Sequence, residues 1–198
     1  MTVPGPGRAD ARPEGGLPVL VVAIVGSPKA GGRTRVAVDA VLRGAAADGA
    51  DTRVVELADT PVPDAVAALG AADAAVFASP TYRADVTAQL KALLDATPRG
   101  AAYESGDPLR GTACATLLTG ASDHHFLAVE KVRAVLGSFF GVPLLSPGLY
   151  FPSAAFTEDA TALREEPRRL AELHGRALVE LAAAVRASRW LRDLRPLV

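Results

Sequence analysis

The chain has 198 residues, a formal net charge of −1, 49% apolar residues and a single cysteine. Its length and apolar content suffice for a sizeable core. The near-zero charge argues against nucleic acid or a membrane surface as the main partner, and one cysteine excludes both an intrachain disulfide and a cysteine metal cluster.

Residues 1–17, MTVPGPGRADARPEGGL, are rich in Pro, Gly and Arg and read as a disordered leader before a single domain over 18–198. They lack the apolar core of a signal peptide, and no later run is long enough to span a bilayer, so a cytoplasmic location is expected. PVLVVAIVG, residues 18–26, is a short continuous apolar run and predicts a strand buried on both faces. Residues 33–48 carry apolar residues at helical spacing up to Gly49. DTRVVEL (51–57) predicts a second strand, VPDAVAALGAA (62–72) a short helix and DAAVFASP (73–80) a third strand. VTAQLKALLDAT (86–97) predicts an amphipathic helix, and residues 98–110 a loop.

GTACATLLTG (111–120) predicts a fourth strand, with Cys114 as an ordinary buried residue. A helix is expected over about 124–139, with Asp123 as its N-cap. VPLLSPGLYF (142–151) predicts a fifth strand, with a bulge or early end at Pro147-Gly148. Residues 158–190 predict one long helix with an interruption near Pro167. The basic C-terminal stretch carrying Trp190 reads as a solvated helix end or as a docking segment. Strands alternating with helices mean a parallel sheet covered on both faces, whose ligands bind beyond the carboxyl ends of the strands.

That rule singles out three loops. The first, SPKAGGRT, opens a helix whose first N–H groups and dipole favour an anion. Ser27 and Thr34 add hydroxyls, Lys29 and Arg33 add charge, and Gly31 and Gly32 allow close backbone approach. Gly26 and Gly31 have the spacing of a nucleoside-triphosphate loop, but Gly32-Arg33 stand where Lys-Ser/Thr is required. The dinucleotide fingerprint fails at its second glycine. The plain alternative is a polar turn. The second loop, SPTYRAD, places Tyr82 to flank a flat ligand, with Arg83 beside it, or to pack on the domain. The third, TGASDHH, offers backbone groups from Thr119, Gly120, Ala121 and Ser122. Adjacent His124 and His125 diverge on a helix and make no metal pair, so no metal site is expected. One anion site and two small, partly aromatic loops suit a planar ligand with one phosphate, which FMN fits better than a triphosphate.

GSPKAGGRT, SPTYRADVTAQLKALLD and TGASDHHFLAVEKVRAVLGSFFGVPLLSPGLYF together resemble the NADPH-dependent FMN reductase family over about residues 19–155. The third stretch is most similar to the branch supplying reduced FMN to two-component systems such as alkanesulfonate monooxygenases. The resemblance implies a flavodoxin-like three-layer α/β sandwich with five parallel strands in the order 2-1-3-4-5. It implies FMN and NAD(P)H as cofactors, with phosphate contacts at Ser27, Lys29, Arg33 and Thr34 and with Gly32 among the cofactor-binding residues. Ring contacts would fall on Pro80, Thr81, Tyr82 and Arg83 and on Thr119, Gly120, Ala121 and Ser122. Lys29 stands where the family commonly has arginine, and Gly32 where it commonly has serine. Homodimers or homotetramers are implied, with residues 86–97 and 124–140 at the interface and a flavin-dependent monooxygenase as a partner. Hydride transfer between two cofactors needs no general acid or base, so no catalytic side chain is expected. Two other readings stay open: an FMN-retaining reductase of quinones or azo dyes, and a flavodoxin-type electron carrier.

Overall fold

A computed structural model describes residues 18–101 and 104–194. The expected leader, residues 1–17, lies outside the described residues. Strands β1 (Leu20–Val25), β2 (Asp51–Glu56), β3 (Ala74–Pro80), β4 (Ala113–Gly120) and β5 (Leu149–Pro152) form one parallel sheet in the order β2-β1-β3-β4-β5. Helices α1 (Arg33–Ala47) and α5 (Glu165–Ala187) cover one face. Helices α2 (Val62–Gly70), α3 (Ala88–Ala96) and α4 (Ala128–Ala134) cover the other.

Strand alternation sorts the core. Val21, Ala23 and Val25 of β1 pack with α1 and α5, while Val22 and Ile24 point to the opposite layer. Fully buried Ile24, Phe77, Leu118 and Leu178 each contribute about 1.5–3 kcal/mol of hydrophobic stabilisation. The two layers meet their helices differently. On the α1–α5 side two glycines bring the helices into backbone contact: a Cβ on Gly44 would stand 1.9 Å from the Glu172 carbonyl oxygen, and one on Gly175 would stand 1.9 Å from that of Val41.

Three expectations need correction. The fifth strand is short. Pro143 and Leu145 pair with Cys114 in a single bridge, the chain leaves the sheet through a cis Ser146–Pro147 bond and Gly148, and it rejoins at Leu149. The interruption therefore falls where Pro147 and Gly148 were expected to place it. The long C-terminal helix begins at Glu165, not residue 158. Residues 156–163 instead close on themselves through a Phe156–Leu163 bridge, with Thr157 N–H donating to the Ala162 carbonyl at 2.9 Å. Pro167 sits in the first turn of α5, where a missing N–H costs nothing. The break comes later, at Ser188, whose hydroxyl accepts from Leu191 N–H and caps α6 (Arg189–Asp193). Trp190 on α6 is exposed, Arg189 stacks on its ring, and Arg110 holds Asp193 at 2.7 Å.

The helix expected over 124–139 is composite: a 3₁₀ turn at Asp123–His125, then α4, then a π-helical turn at Val135–Phe139. Asp123 is not its N-cap, since Ser122 holds that position without a capping bond. Among the described residues no helix is long and apolar enough to cross a membrane.

Candidate functional site

The sheet reverses its direction of build between β1 and β3, so their carboxyl ends leave a crevice between the loops that follow. Register sets those ends level: Val25 pairs with Ala78, Pro80 with Thr119 and Gly120 with Pro152. The loops after β1, β3 and β4 converge there on a cavity of about 570 Å³. That volume lies in the range of small-molecule sites.

From the first loop the cavity takes Ser27, Pro28, Lys29, Gly32, Arg33 and Thr34. Gly26 fixes the start of this loop. Its N–H donates to the Ala78 carbonyl at 2.7 Å, its carbonyl accepts the Thr87 hydroxyl, and a Cβ there would meet Leu90 Cβ at 2.8 Å. The Ser27 hydroxyl donates to the Lys29 carbonyl at 2.7 Å and folds the loop tip. Gly31 takes φ +72°, and its N–H faces the Glu56 carboxylate at 3.3 Å. That carboxylate is itself held by Arg35 at 2.9 Å. Helix α1 then starts behind Gly32 with no side-chain cap and no acidic residue in its first turn. Its leading N–H groups lie at the cavity end that Lys29 and Arg33 line.

From the second loop the cavity takes Pro80, Thr81 and Tyr82, and from the third Thr119, Gly120 and Ala121. Thr81 N–H donates to the Thr119 carbonyl at 2.7 Å and ties the two loops. Thr34 and Thr119 bond hydroxyl to hydroxyl at 2.7 Å and tie the first loop to the third. Tyr82 is 54% exposed and presents its ring at the cavity edge. A closed two-residue turn holds it there. Tyr82 and Asp85 exchange backbone hydrogen bonds at 2.8 and 3.0 Å, while Arg83 and Ala84 between them sit at φ 53° and 59°. Such a turn matches type I′, which glycine and asparagine normally fill. Lys131 grips Asp85 at 2.8 Å and holds its carboxyl below the usual carboxylate range.

Gly120 is required by the neighbouring Tyr150, whose hydroxyl would stand 1.8 Å from a Cβ there. That hydroxyl donates to the Ser122 carbonyl at 2.7 Å, and burial pushes the phenol's pKa up. Thr81 Oγ1 lies near the same phenol without hydrogen-bond geometry and is buried with no partner.

Eleven of the thirteen residues singled out from the sequence thus line one cavity. Arg83 does not, because the left-handed turn carries it into solvent. Ser122 does not line it either, and acts through its carbonyl on Tyr150. His124 and His125 are exposed and stand outside the lining. Pro28, Tyr150 and Ser153 were missed. Ser153 begins the loop after β5, accepts from Arg33 and donates to the Gly120 carbonyl at 3.4 Å. The rule that picked the loops after the first, third and fourth strands points equally to this one.

The donor set fits FMN. Two cations, an uncapped helix N-terminus and no carboxylate among the lining residues suit a dianionic phosphate. The unpartnered Thr81 hydroxyl and the Tyr82 ring suit a flat, hydrogen-bonding ring system.

Comparison with solved structures returns the same fold. An NADH:FMN oxidoreductase in its apo form superposes at TM-score 0.71 with 24% identity, over 89% of this chain and 95% of that one. A flavodiiron protein from Giardia intestinalis matches at 0.67 and 21%, over 84% of this chain and 36% of its own length. A WrbA-like flavodoxin from Agrobacterium tumefaciens matches at 0.66 and 20%, over 84% and 98%. These likenesses establish a flavodoxin-like sandwich. No curated protein matches the chain significantly. The profile of one family, NADPH-dependent FMN reductase, matches residues 19–156 and so takes in every loop of the cavity. On that match the chain belongs to the NADPH-dependent FMN reductase family, and is an oxidoreductase using FMN and NAD(P)H.

Proposed function

We propose that the protein reduces FMN as a substrate at the expense of NAD(P)H, and releases it to a flavin-dependent monooxygenase of a two-component system. The observation that carries this reading is the convergence of three loops on one cavity whose charged end is cationic and whose other end is uncharged. Lys29, Arg33, Ser27 and the first N–H groups of α1 would hold the phosphate. The Thr34–Thr119 pair would present hydroxyl oxygens along the tail between phosphate and ring. Thr81, Gly120 and Ala121 would orient the ring, with Tyr82 at its edge. When bound, FMN accepts the hydride and supplies the redox chemistry. The chain's own work is to fix the two partners in contact and to keep water from the reacting face.

Release is supported by how the site is closed. Its outer wall is one exposed tyrosine on a two-residue turn, and the two cations at its other end, Lys29 and Arg33, are exposed. The same reading takes residues 18–198 as one FMN-binding unit working in the cytoplasm. It takes the faces of residues 86–97 and 124–140 as contacts between copies, a placement supported by exposed Phe126, Leu127 and Phe139.

The test is nicotinamide oxidation in air by purified protein, with NADH and NADPH, with and without added FMN. Oxidation that depends on added FMN, by protein that arrives colourless, is the expected result. Protein that arrives yellow and reduces a quinone without added flavin would replace release by retention. No oxidation of either nucleotide with any acceptor would overturn the reading.

A further inference from the structure

Glu56 is the last residue of β2, an edge strand that sends no residue to the cavity. Its partner in register is Val25, the last residue of β1 before the first loop. Alternation along β2 turns Val54 toward the α1–α5 layer and Val55 toward the other, so Glu56 turns toward α1. Its side chain, 13% exposed, meets the first loop there. The Gly31 N–H donates to both carboxylate oxygens, at 3.3 and 3.4 Å. Arg35, in the first turn of α1, donates to one of them at 2.9 Å while its Nε holds Asp39 at 2.8 Å.

The place of that bond matters. Between Ser27 and Thr34 only Ala30 and Gly31 do not line the cavity. Gly31 turns the chain at φ +72°, and the next residues, Gly32 to Thr34, line the cavity and open α1. The carboxylate thus takes the amide of a residue outside the lining and leaves the following ones for an anion. The loop's own bond, from the Ser27 hydroxyl to the Lys29 carbonyl, lies before this turn and does not fix it. Arg35 offsets the carboxylate's charge, so the loop is held by an ion pair and not by a bare anion.

We propose that Glu56, oriented by Arg35, is a positioning residue for the flavin phosphate. It fixes the Gly31 turn and so sets where Lys29, Gly32 and Arg33 stand toward the phosphate, without touching the flavin itself. The inference rests on the flavin placement given above. It makes Glu56 a determinant of selectivity, because riboflavin carries the same ring as FMN and no phosphate, and so gains nothing from an ordered phosphate loop.

The experiment is fluorescence titration of FMN and of riboflavin on wild-type protein, Glu56→Ala and Glu56→Gln, with kcat and KM for FMN measured at saturating NADPH. Glu56 belongs neither to the cavity lining nor to the core, so each variant keeps both. Glu56→Ala should raise Kd and KM for FMN about five-fold or more, with kcat and the Kd for riboflavin within about two-fold of wild type. Glu56→Gln keeps an oxygen to accept from Gly31 and Arg35, and should restore FMN binding to within about two-fold of wild type. Equal losses for FMN and riboflavin overturn the proposal, since they would report a general loosening of the fold. So does FMN binding that Glu56→Ala leaves unchanged or tightens, and so does Glu56→Gln as impaired as Glu56→Ala. Wild-type protein that binds neither flavin overturns the flavin placement, and this proposal with it.

Discussion

Thr34 and Thr119, 85 residues apart, meet hydroxyl to hydroxyl at 2.7 Å, and both are buried. One comes from the first turn of α1 and the other from the end of β4, so the bond clamps the loop after β1 to the loop after β4 across the cavity. Removing one hydroxyl leaves the other buried and unpaired, while removing both leaves nothing to satisfy. Thr34→Val or Thr119→Val alone should therefore cost about 1–3 kcal/mol of stability, and the double variant less than the sum of the two. FMN affinity should behave differently, falling in each single variant and furthest in the double. Urea unfolding beside FMN titration separates the two effects. Strictly additive stability losses would mean that the hydroxyls do not pair.

The sheet and the loops at its carboxyl edge were legible because they depend on local signals. PVLVVAIVG, short, continuous and bounded by Pro and Gly, suits a strand buried on both faces, and the small polar residues after it suit its loop. What escaped depends on contacts between distant segments. Residues 158–164 contain alanine, leucine and glutamate at no forbidden position for a helix, yet Thr157 and Asp159 close a loop there that needs Leu163 to bridge Phe156. Tyr150 was read as a strand residue, and its hold on Ser122 is a tertiary fact. The π turn over Val135–Phe139 leaves no mark in a helical pattern.

Glycines Gly44 and Gly175 were equally silent, although helix interiors disfavour glycine by about 1 kcal/mol against alanine. Packing reverses that preference here. A Cβ on Gly175 would stand 1.9 Å from the Val41 carbonyl oxygen and 2.7 Å from Ala45 N, and backbone atoms cannot swing aside as a side chain can. Gly175→Ala should cost about 2 kcal/mol or more despite its better helix propensity. Gly70, at the end of α2, meets only Pro108 at 3.6 Å, so Gly70→Ala should be neutral or stabilising by up to about 1 kcal/mol. Thermal unfolding of the two variants should shift in opposite senses, or not at all for Gly70→Ala. Equal losses would mean that α1 and α5 do not pack through these glycines.

The turn that carries Tyr82 holds strain. Ala84 at φ 59° pays the clash of its Cβ with the following carbonyl, about 1–2 kcal/mol, which glycine avoids. Glycine also makes the unfolded chain more flexible, and that offsets part of the gain. Ala84→Gly should raise stability by about 1 kcal/mol while leaving the Tyr82–Asp85 bonds in place. A loss of stability in chemical denaturation would mean that residue 84 does not adopt the left-handed conformation.

Cys114 lies fully buried in the middle of the sheet, and its thiol donates weakly to the Thr112 carbonyl at 3.7 Å. Burial pushes its pKa well above that of a free thiol. The folded chain thus holds the thiol proton more tightly than the unfolded chain does. Below the free-thiol pKa, about 8.5, both states are protonated and the effect is absent; above it, unfolding releases a proton and stability falls by about 1.4 kcal/mol per pH unit. Between pH 7.5 and pH 9.5 wild-type protein should therefore lose about 1.4 kcal/mol more than Cys114→Ala does. The other titrating groups are common to both proteins and cancel in that difference. Iodoacetamide should label Cys114 only in denaturant, since alkylation needs the thiolate and access to it. Parallel pH profiles for the two proteins, or rapid labelling of the native one, would show that the strand carrying Cys114 opens to solvent under native conditions.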